Sequence, residues 1–434
     1  TLGGVATSAN VSLIATAGSI LDGGDHYLDV VADQLRLVAG VGIGTSTNAL
    51  ETTVAVISAR ATSGGIFILE SDALSVDDTS ATVQRVAADA SILGITDALQ
   101  SDVRTTALDG SIVLRTSNGD IVLNAGTVPG LDTAISANGA GNVLVEALGA
   151  GTSIVANADL LSGSGHVSVI AAGDVTFTGT ADIESAGGGT VFVQAASGSV
   201  TFSDTSRIQS LNGDIRVLAD DSITVGGIET SGNVSLIATT GSIFDGGDSL
   251  VDITADQLRL VAGVGVGAST NALETTVAVI SARATSGGIF ILESDSITVD
   301  DTSATIQRVE LDAAVSEITD GAQSDLRTTA GNGAIVLQSV AGNIILNTGS
   351  APASDIAIVA DGSGNVLVEA LGAGTDVTVN ADVLSGSGHV NVLAGGDVAL
   401  TNTADLRTGV LGTLFVQAVS GSVVMADQSL LQAG

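Results

Sequence analysis

The feature that most constrains this fold is a long internal repeat. The segment NVSLIATAGSILDGGD begins at Asn10, and the closely similar segment NVSLIATTGSIFDGGD begins at Asn233, an offset of 223 residues. The same offset relates the two halves to the end of the chain. We therefore divide the sequence into a first repeat unit, 1–223, and a second, truncated unit, 224–434, and expect one continuous solenoid cut from a longer array.

A shorter rhythm runs inside each unit: a glycine, a polar residue and then alternating β-forming residues. It is seen as GHVSVIA at Gly165, GTVFVQA at Gly189 and GDIRVLA at Gly213, and these glycines are 24 residues apart. Period-two alternation places the apolar residues on one face of a strand, and we expect the glycine to supply a positive φ or a tight turn. A segment of about 20–24 residues has the size of one solenoid coil.

Such short strands cannot bury a face alone, so successive coils must stack at about 4.8 Å and cover one another's apolar residues. The sequence therefore predicts an all-β fold, a right-handed parallel β-helix (β-solenoid), with about ten coils in each unit. Irregular coil lengths disfavour a left-handed hexapeptide helix, whose coils are uniform. The preference for Val, Ile, Leu and Ala, with only 2% aromatic residues, suits stacked strands.

One segment, NALETTVAVISAR at 48–60, is compatible with either a helix or a strand. Asn48 is a possible N-cap, and Glu51 follows three residues later, as in a capping box. The residues from Thr53 to Ala59 alternate and are rich in β-branched side chains, which favours a strand.

The charge of the chain limits its partners. The formal net charge is −35, the basic residues are Arg without Lys, and Cys is absent. A surface of this charge repels phosphate backbones and anionic lipids, so we expect no nucleic-acid partner and no membrane insertion of this segment. Divalent cations are favoured, and they are a possible means of lateral self-association.

The motif DGGD, which occurs once in each unit, is the best candidate for a metal ligand. Asp22 and Asp25 flank one glycine pair, and Asp245 and Asp248 flank the other. Two carboxylates so placed could share a Ca²⁺ ion, which prefers several oxygen ligands. We favour the simpler interpretation of an acidic turn between coils, because the GGxGxD calcium-binding repeat is absent.

Other polar residues receive structural interpretations. The equivalent residues His166 and His389 have no Cys or second His near them in sequence, so an exposed turn histidine is favoured over a metal ligand. The acidic pairs Asp77–Asp78 and Asp300–Asp301 are treated like DGGD. We expect no catalytic residues, because the chain has one Tyr, no Trp and no Lys, and its carboxylates are scattered.

Runs such as GNVSLIATTGSI, GSGNVLVEA, GSGHVNVLAGGDV and GTLFVQAVSGSV resemble the repeat regions of filamentous-haemagglutinin-like proteins. These are giant bacterial exoproteins, often exported by two-partner secretion and predicted to be adhesins. The resemblance covers nearly the whole chain. It implies a right-handed β-helical shaft, a secreted location at the bacterial cell surface, and structural or adhesive work without a catalytic residue.

The leading hypothesis is therefore a non-catalytic structural shaft of a secreted surface fibre or giant adhesin, which forms a stalk or an extracellular filament for adhesion or biofilm matrix. Its first partners would be neighbouring repeats of the same chain. The alternative is a module that binds a glycan or a cell-surface receptor directly, through the more divergent segments 87–139 and 311–362. A polysaccharide-active β-helix enzyme is disfavoured.

Overall fold

The computed structural model describes residues 1–24, 27–247 and 250–434 of the chain. Within those ranges the regular structure consists of β-strands, with no helix. Consequently, no helix in the described ranges is long and apolar enough to cross a membrane. The all-β fold class predicted from the sequence is confirmed.

The chain forms two compact bodies. The first body contains Thr1–Gly213 together with Ile306–Ile318, and the second contains Asp214–Thr305 together with Thr319–Gly434. These bodies are groupings of the folded chain, whereas 1–223 and 224–434 are periods of its sequence. The bodies therefore describe contacts in the folded chain, and the repeat units describe the sequence period.

The strands of the first body up to the middle of its stack are β1 (Val5–Ala6), β2 (Val11–Ala15), β3 (Val30–Ala39), β4 (Leu50–Ala61), β5 (Ile66–Glu70), β6 (Leu74–Val76), β7 (Thr82–Val86), β8 (Ile92–Thr96), β9 (Val103–Thr105), β10 (Ile112–Thr116) and β11 (Ile121–Leu123). The remaining strands within its first segment are β12 (Thr133–Ala137), β13 (Val143–Ala147), β14 (Ile154–Ala156), β15 (Asp159–Ser162), β16 (Val167–Ala171), β17 (Val175–Phe177), β18 (Ile183–Ser185), β19 (Val191–Ala195), β20 (Val200–Phe202) and β21 (Arg207–Ser210).

The second body begins with β22 (Ile215–Ala219), β23 (Ile223–Val225), β24 (Gly227–Glu229), β25 (Val234–Ala238), β26 (Ile243–Asp245), β27 (Ile253–Ala262), β28 (Leu273–Ala284), β29 (Ile289–Glu293) and β30 (Ile297–Val299). A separate hairpin follows, formed by β31 (Thr302–Val309) and β32 (Val315–Gln323). The body ends with β33 (Leu326–Thr328), β34 (Ile335–Ser339), β35 (Ile344–Leu346), β36 (Ile356–Ala360), β37 (Val366–Ala370), β38 (Val377–Val379), β39 (Asp382–Ser385), β40 (Val390–Ala394), β41 (Val398–Leu400), β42 (Leu406–Thr408), β43 (Leu414–Ala418), β44 (Val423–Met425) and β45 (Leu431–Gln432).

Most strands of the first body stack in three parallel columns, and each coil contributes one strand to each column. The first column is β5, β10, β13, β16 and β19. The second is β6, β11, β14, β17 and β20. The third is β9, β12, β15, β18 and β21. Equivalent residues stack in register, as Val143, Val167 and Val191 do.

The second body repeats this arrangement. Its columns are β29, β34, β37, β40 and β43, then β30, β35, β38, β41 and β44, and then β33, β36, β39, β42 and β45. Stacked coils joined by parallel ladders are the β-solenoid that the sequence predicted. The right-handed sense of the coil stays a prediction.

The core consists of the inward-facing side chains of these columns. Val, Ile and Leu at alternate strand positions are fully buried, for example Ile154 and Ile183. Phe177 and Phe202 lie on successive coils of the second column, with ring centroids 4.6 Å apart and planes at 9°. Full burial of one such side chain contributes roughly 1.5–3 kcal/mol, and this gain is available only when coils stack.

The ambiguous segment at 48–60 is a strand, as preferred, and forms most of β4. It pairs in parallel with β3. The buried carboxylate of Glu70 fixes its start, because Glu70 Oε2 accepts hydrogen bonds from Thr52 Oγ1 at 2.7 Å and from Val54 N at 3.1 Å. Glu293 makes the same two bonds to β28.

The repeated glycine has a packing role that was not expected. The glycines that open β13, β16 and β19 (Gly141, Gly165 and Gly189) do not adopt a positive φ. They lie against one another in a column. A Cβ atom at Gly165 would be 2.3 Å from the carbonyl oxygen of Gly141, and one at Gly189 would be 2.0 Å from that of Gly165. Glycine is required here because neighbouring coils approach too closely for any side chain.

The divergent segment 87–139 is exposed only in part. Its beginning includes β8, which pairs antiparallel with β7 in an exposed hairpin. It then returns to the coil stack at β9–β12, where Ile112 and Leu114 are fully buried. Divergence in the second part therefore occurs within coils and their turns.

Candidate metal centre

Strand register brings together three carboxylates from two neighbouring coils. Asp22 lies beside Leu2 in an isolated parallel bridge, and Asp29 comes directly before β3. Glu51 is the second residue of β4. Because β3 and β4 pair with an offset of 22 residues, Asp29 lies beside Glu51, and Asp29 N donates a 2.9 Å hydrogen bond to Glu51 O.

The three side chains form an acidic cluster with the dimensions of a cation site. One carboxylate oxygen from each of Asp22, Asp29 and Glu51 lies within 4.8 Å of the other two. Calcium binds oxygen ligands at about 2.3–2.6 Å, so two oxygens on opposite sides of one ion are separated by about this distance. Asp22 and Asp29 are buried, which also limits competition between water and these carboxylates for a bound ion.

The hydrogen bonds of the cluster leave an oxygen of Asp22 for a ligand. Asp22 Oδ2 accepts from Gly24 N at 3.1 Å and from Asn48 Nδ2. Asp29 Oδ2 accepts from Glu51 N at 3.2 Å. In contrast, Asp22 Oδ1 is buried without a hydrogen-bond partner, although Asp22 is only 8% exposed. A buried carboxylate oxygen without a partner is costly, and a bound cation would remove that cost.

The second repeat contains the same cluster, formed by Asp245, Asp252 and Glu274. Asp245 Oδ1 accepts from Gly247 N at 3.0 Å, and Asp252 Oδ2 accepts from Glu274 N at 2.9 Å. Asp245 Oδ2, like Asp22 Oδ1, is buried without a hydrogen-bond partner. The geometry is therefore a property of the repeat.

Burial and mutual repulsion perturb the titration of these groups. Burial raises the pKa of Asp29 to about 7, and the charges of Asp22 and Glu51 act in the same direction. Burial likewise raises the pKa of Asp252 to about 9, with Asp245 and Glu274 adding to the effect. Each cluster is thus stabilised either by a proton on its central aspartate or by a positive ion.

At Asp22, burial and hydrogen bonding act on the pKa in opposite directions, and hydrogen bonding is the stronger effect. Burial acts to raise its pKa, but hydrogen bonds from Gly24 and Asn48 outweigh burial, and the pKa is lowered. Asp22 is therefore the anionic member of the cluster over a wide pH range, which suits a ligand for a divalent ion.

Two of the four aspartates predicted from DGGD, Asp22 and Asp245, belong to these clusters. The other two, Asp25 and Asp248, lie outside the described residues. Sequence reasoning missed the remaining members of the clusters, which are Asp29, Glu51, Asp252 and Glu274. The DGGD motif alone could not reveal them, because Glu51 comes from another coil and is placed by the register of β3 and β4.

The histidines and acidic pairs have local structural roles. His166 is half-buried, and its Nδ1 atom lies 3.0 Å from Thr190 Oγ1 and accepts from Thr190 N at 3.0 Å. Burial lowers the pKa of His166. Asp78 fixes a loop by accepting from Thr127 N at 2.8 Å and Thr127 Oγ1 at 2.6 Å. Throughout the described ranges, groups of three metal-ligating side chains occur only at the two acidic clusters.

The acidic clusters are thus the best candidate functional sites in the described part of the chain. Their chemistry is that of a hard divalent cation bound by carboxylate oxygens. No protein-family model, no curated protein and no solved structure matches this chain.

Proposed function

We propose that the chain is a piece of the non-catalytic structural shaft of a secreted bacterial surface fibre or giant adhesin. The observation that supports this proposal is the in-register stacking of coils in three parallel columns in each body. Such stacking can be extended by adding repeats, because each new coil offers the ladder that the next coil needs. A secreted location at the bacterial cell surface follows from the resemblance noted in the sequence.

The proposed mechanical role depends on many weak bonds acting together. Each ladder hydrogen bond contributes a net stability of only about 0.5–1.5 kcal/mol. A coil is held by ladders in three columns and by the burial of its inward side chains, so these contributions must be lost together when a coil detaches. The chain has no Cys and no Lys, so neither disulfide nor lysine isopeptide cross-links contribute.

We further propose that the acidic clusters bind Ca²⁺ as a structural ion. The ion would neutralise Asp22, Asp29 and Glu51 and coordinate the buried free oxygen of Asp22. These ligands come from two neighbouring coils, so the ion would join the starts of β3 and β4 to Asp22. The same holds for the cluster of Asp245, Asp252 and Glu274. Divalent ions at the acidic surface would also reduce repulsion between neighbouring shafts.

Single-molecule force spectroscopy, with the chain held at its two ends, tests the shaft. We expect extension in a series of small steps of roughly one coil each, at lower force when a chelator removes divalent ions. One all-or-none extension of the whole chain, or extension at negligible force, would contradict the proposal. A glycan array with the same fragment tests the alternative, since a pure shaft gives no signal and a glycan-binding module gives a saturable one.

A further inference from the structure

Two identical pentapeptides differ in exposure. The sequence VLVEA forms β13 in the first body and β37 in the second. All five residues of β13 are buried, with Leu144 1% and Glu146 5% exposed. The equivalent outward residues of β37, Leu367 and Glu369, are only half-buried. Since sequence and coil position are the same, a contact with another segment must account for the difference.

The contact is made by the tip of the second hairpin, which β31 and β32 form. This tip, Ile306–Ile318, belongs to the first body. Gln307 N donates to Thr190 Oγ1 at 2.8 Å, and Val309 N donates to Ser168 Oγ at 2.9 Å. Strand β31 thus uses its backbone to bind hydroxyl groups that project from the first column. We call the surface formed by the outward residues of β10, β13, β16 and β19 the docking face.

Charged and polar contacts surround this backbone contact. Asn142 Nδ2 donates to the carbonyl oxygen of Ala313 at 2.9 Å, next to the hairpin turn. A guanidinium nitrogen of Arg308 lies 4.0 Å from a carboxylate oxygen of Glu146. The contact therefore combines apolar burial, backbone hydrogen bonds and one ion pair.

The equivalent surface of the second body is uncovered. It forms a groove of about 360 Å³ that is lined by Val336, Asn365, Leu367, His389, Asn391 and Thr413. The groove retains the binding chemistry of the docking face. Asn142 and Thr190 have identical residues at the equivalent positions, Asn365 and Thr413. Asn391 offers a side-chain oxygen in place of the Ser168 hydroxyl.

The chain also carries an unused copy of the segment that fits this groove. The first hairpin, β7 and β8, contains TVQRV at 82–86, and the docked hairpin contains TIQRV at 305–309. Val83 and Val86 are 54% and 67% exposed, whereas their equivalents Ile306 and Val309 are 0% exposed. The first hairpin thus exposes the two side chains that the second hairpin buries.

We propose that the first hairpin of one copy of this chain docks in the groove of the second body of another copy. The association is head-to-tail, because the two surfaces differ, and the resulting pair keeps one hairpin and one groove free for further growth. The proposal concerns assembly of two copies; in a longer array of this repeat, as proposed above, the hairpin of the following unit would meet the same groove within one chain.

The docked pair supplies the expected contacts. Gln84 N would donate to Thr413 Oγ1, Val86 N to the side-chain oxygen of Asn391, and Arg85 would pair with Glu369. Val83 and Val86 would cover Leu367. The net charge of −35 opposes association of two copies, so we expect it to strengthen as salt screens the repulsion.

Complementation between two blocked variants tests the proposal. V83D together with V86D blocks the hairpin, and L367D blocks the groove. In sedimentation velocity the unmodified chain should form larger species as its concentration rises, and each variant alone should associate at least tenfold more weakly. A mixture of the two variants should stop at a 1:1 dimer, because only one intact hairpin and one intact groove remain.

The matched control is L384D, which introduces the same change at a half-buried outward leucine of β39, on a different column. It should associate like the unmodified chain. A monomeric unmodified chain at every concentration and salt level would overturn the proposal, as would a mixture that fails to dimerise although both variants keep the circular dichroism spectrum of the parent.

Cross-linking gives an independent readout, because the chain has no Cys. A chain with Arg85→Cys mixed with a chain with Glu369→Cys should give a covalent dimer with a short bismaleimide. Replacing the second partner by Leu384→Cys should remove that product. Equal yields from the two mixtures would contradict docking in the groove even if the chain associates. Stepwise extension under force would be unaffected, so failure of this inference is distinguishable from failure of the shaft.

Discussion

At the scale of single residues, the buried carboxylates of the acidic clusters lie in an energetically unfavourable environment. Asp29 and Asp252 are held close to two other carboxylates and have raised pKa values of about 7 and about 9. A group whose pKa is raised in the folded state stabilises the fold fully below its unfolded pKa and loses that contribution as pH rises through the folded value. Without divalent ions, the clusters therefore favour mildly acidic solution.

Calcium binding should reverse this dependence. The ion needs ionised ligands, so its apparent affinity should rise between about pH 6 and pH 9 as Asp29 and Asp252 lose their protons. Binding at neutral pH should release protons. Calorimetric titration in two buffers of different ionisation enthalpy measures that release. Binding without proton release, or with the same affinity at both ends of this range, would contradict the assignment.

Neutralising the central aspartate should separate the two effects. In the chain with both Asp29→Asn and Asp252→Asn, repulsion in the clusters is lower, so we expect higher thermal stability at pH 8 without calcium. Stabilisation by added calcium should largely disappear, because one charged ligand is lost from each cluster. Thermal unfolding with and without the ion measures both. The control Asp72→Asn changes an exposed aspartate outside the clusters and should retain the calcium response.

The glycine column gives a residue-scale prediction about packing. Gly189→Ala would place a methyl group 2.0 Å from the carbonyl oxygen of Gly165, so the two coils must separate. We expect a loss of about 3 kcal/mol, at the upper end of the usual cost of overpacking. Gly18→Ala is the control, because a Cβ there has no neighbour within 4 Å. Chemical denaturation compares them, and equal stability of the two variants would show that the glycine column is not tightly packed.

At the scale of secondary-structure elements, the two hairpins allow a direct comparison within one chain. They share most of one strand sequence, but strand β31 of the second is packed against a coil stack, whereas strands β7 and β8 of the first are largely exposed. We expect slow amide hydrogen exchange at Gln307 and Val309, whose amides bind Thr190 and Ser168, and much faster exchange at Gln84 and Val86. Mass spectrometry at protein concentrations too low for association makes the comparison. Equal exchange rates in the two hairpins would contradict the docked arrangement.

The elements also show what a sequence can predict in this fold. Alternation and glycine spacing predicted strands and coil stacking, because both are local properties that recur in every coil. The acidic clusters and the docked hairpin depend on contacts between distant residues, such as Asn142 with Ala313. No local pattern records such a contact. The packing role of the glycines was also missed, since a close approach between coils and a positive φ both select glycine.

At the scale of the whole molecule, the central claim is that each body is built by parallel, in-register stacking of coils. In the first body, Ser75, Val122, Val155, Thr176 and Thr201 occupy one register position on five successive coils. In the second body the equivalent series begins at Thr298 and ends at Val424. Both series face outward, so their ends can be labelled without disturbing the core.

The distance between these ends tests the claim directly. Four coil steps of about 4.8 Å predict a separation of about 19 Å between the backbones of residues 75 and 201. Because the chain has no Cys, Ser75→Cys with Thr201→Cys gives two unique attachment sites for spin labels, and double electron–electron resonance measures the distance between them. Thr298→Cys with Val424→Cys gives the same measurement in the second body. The stacked-coil structure predicts one narrow distribution near this distance for both pairs. A broad distribution, or two clearly different mean distances, would contradict it.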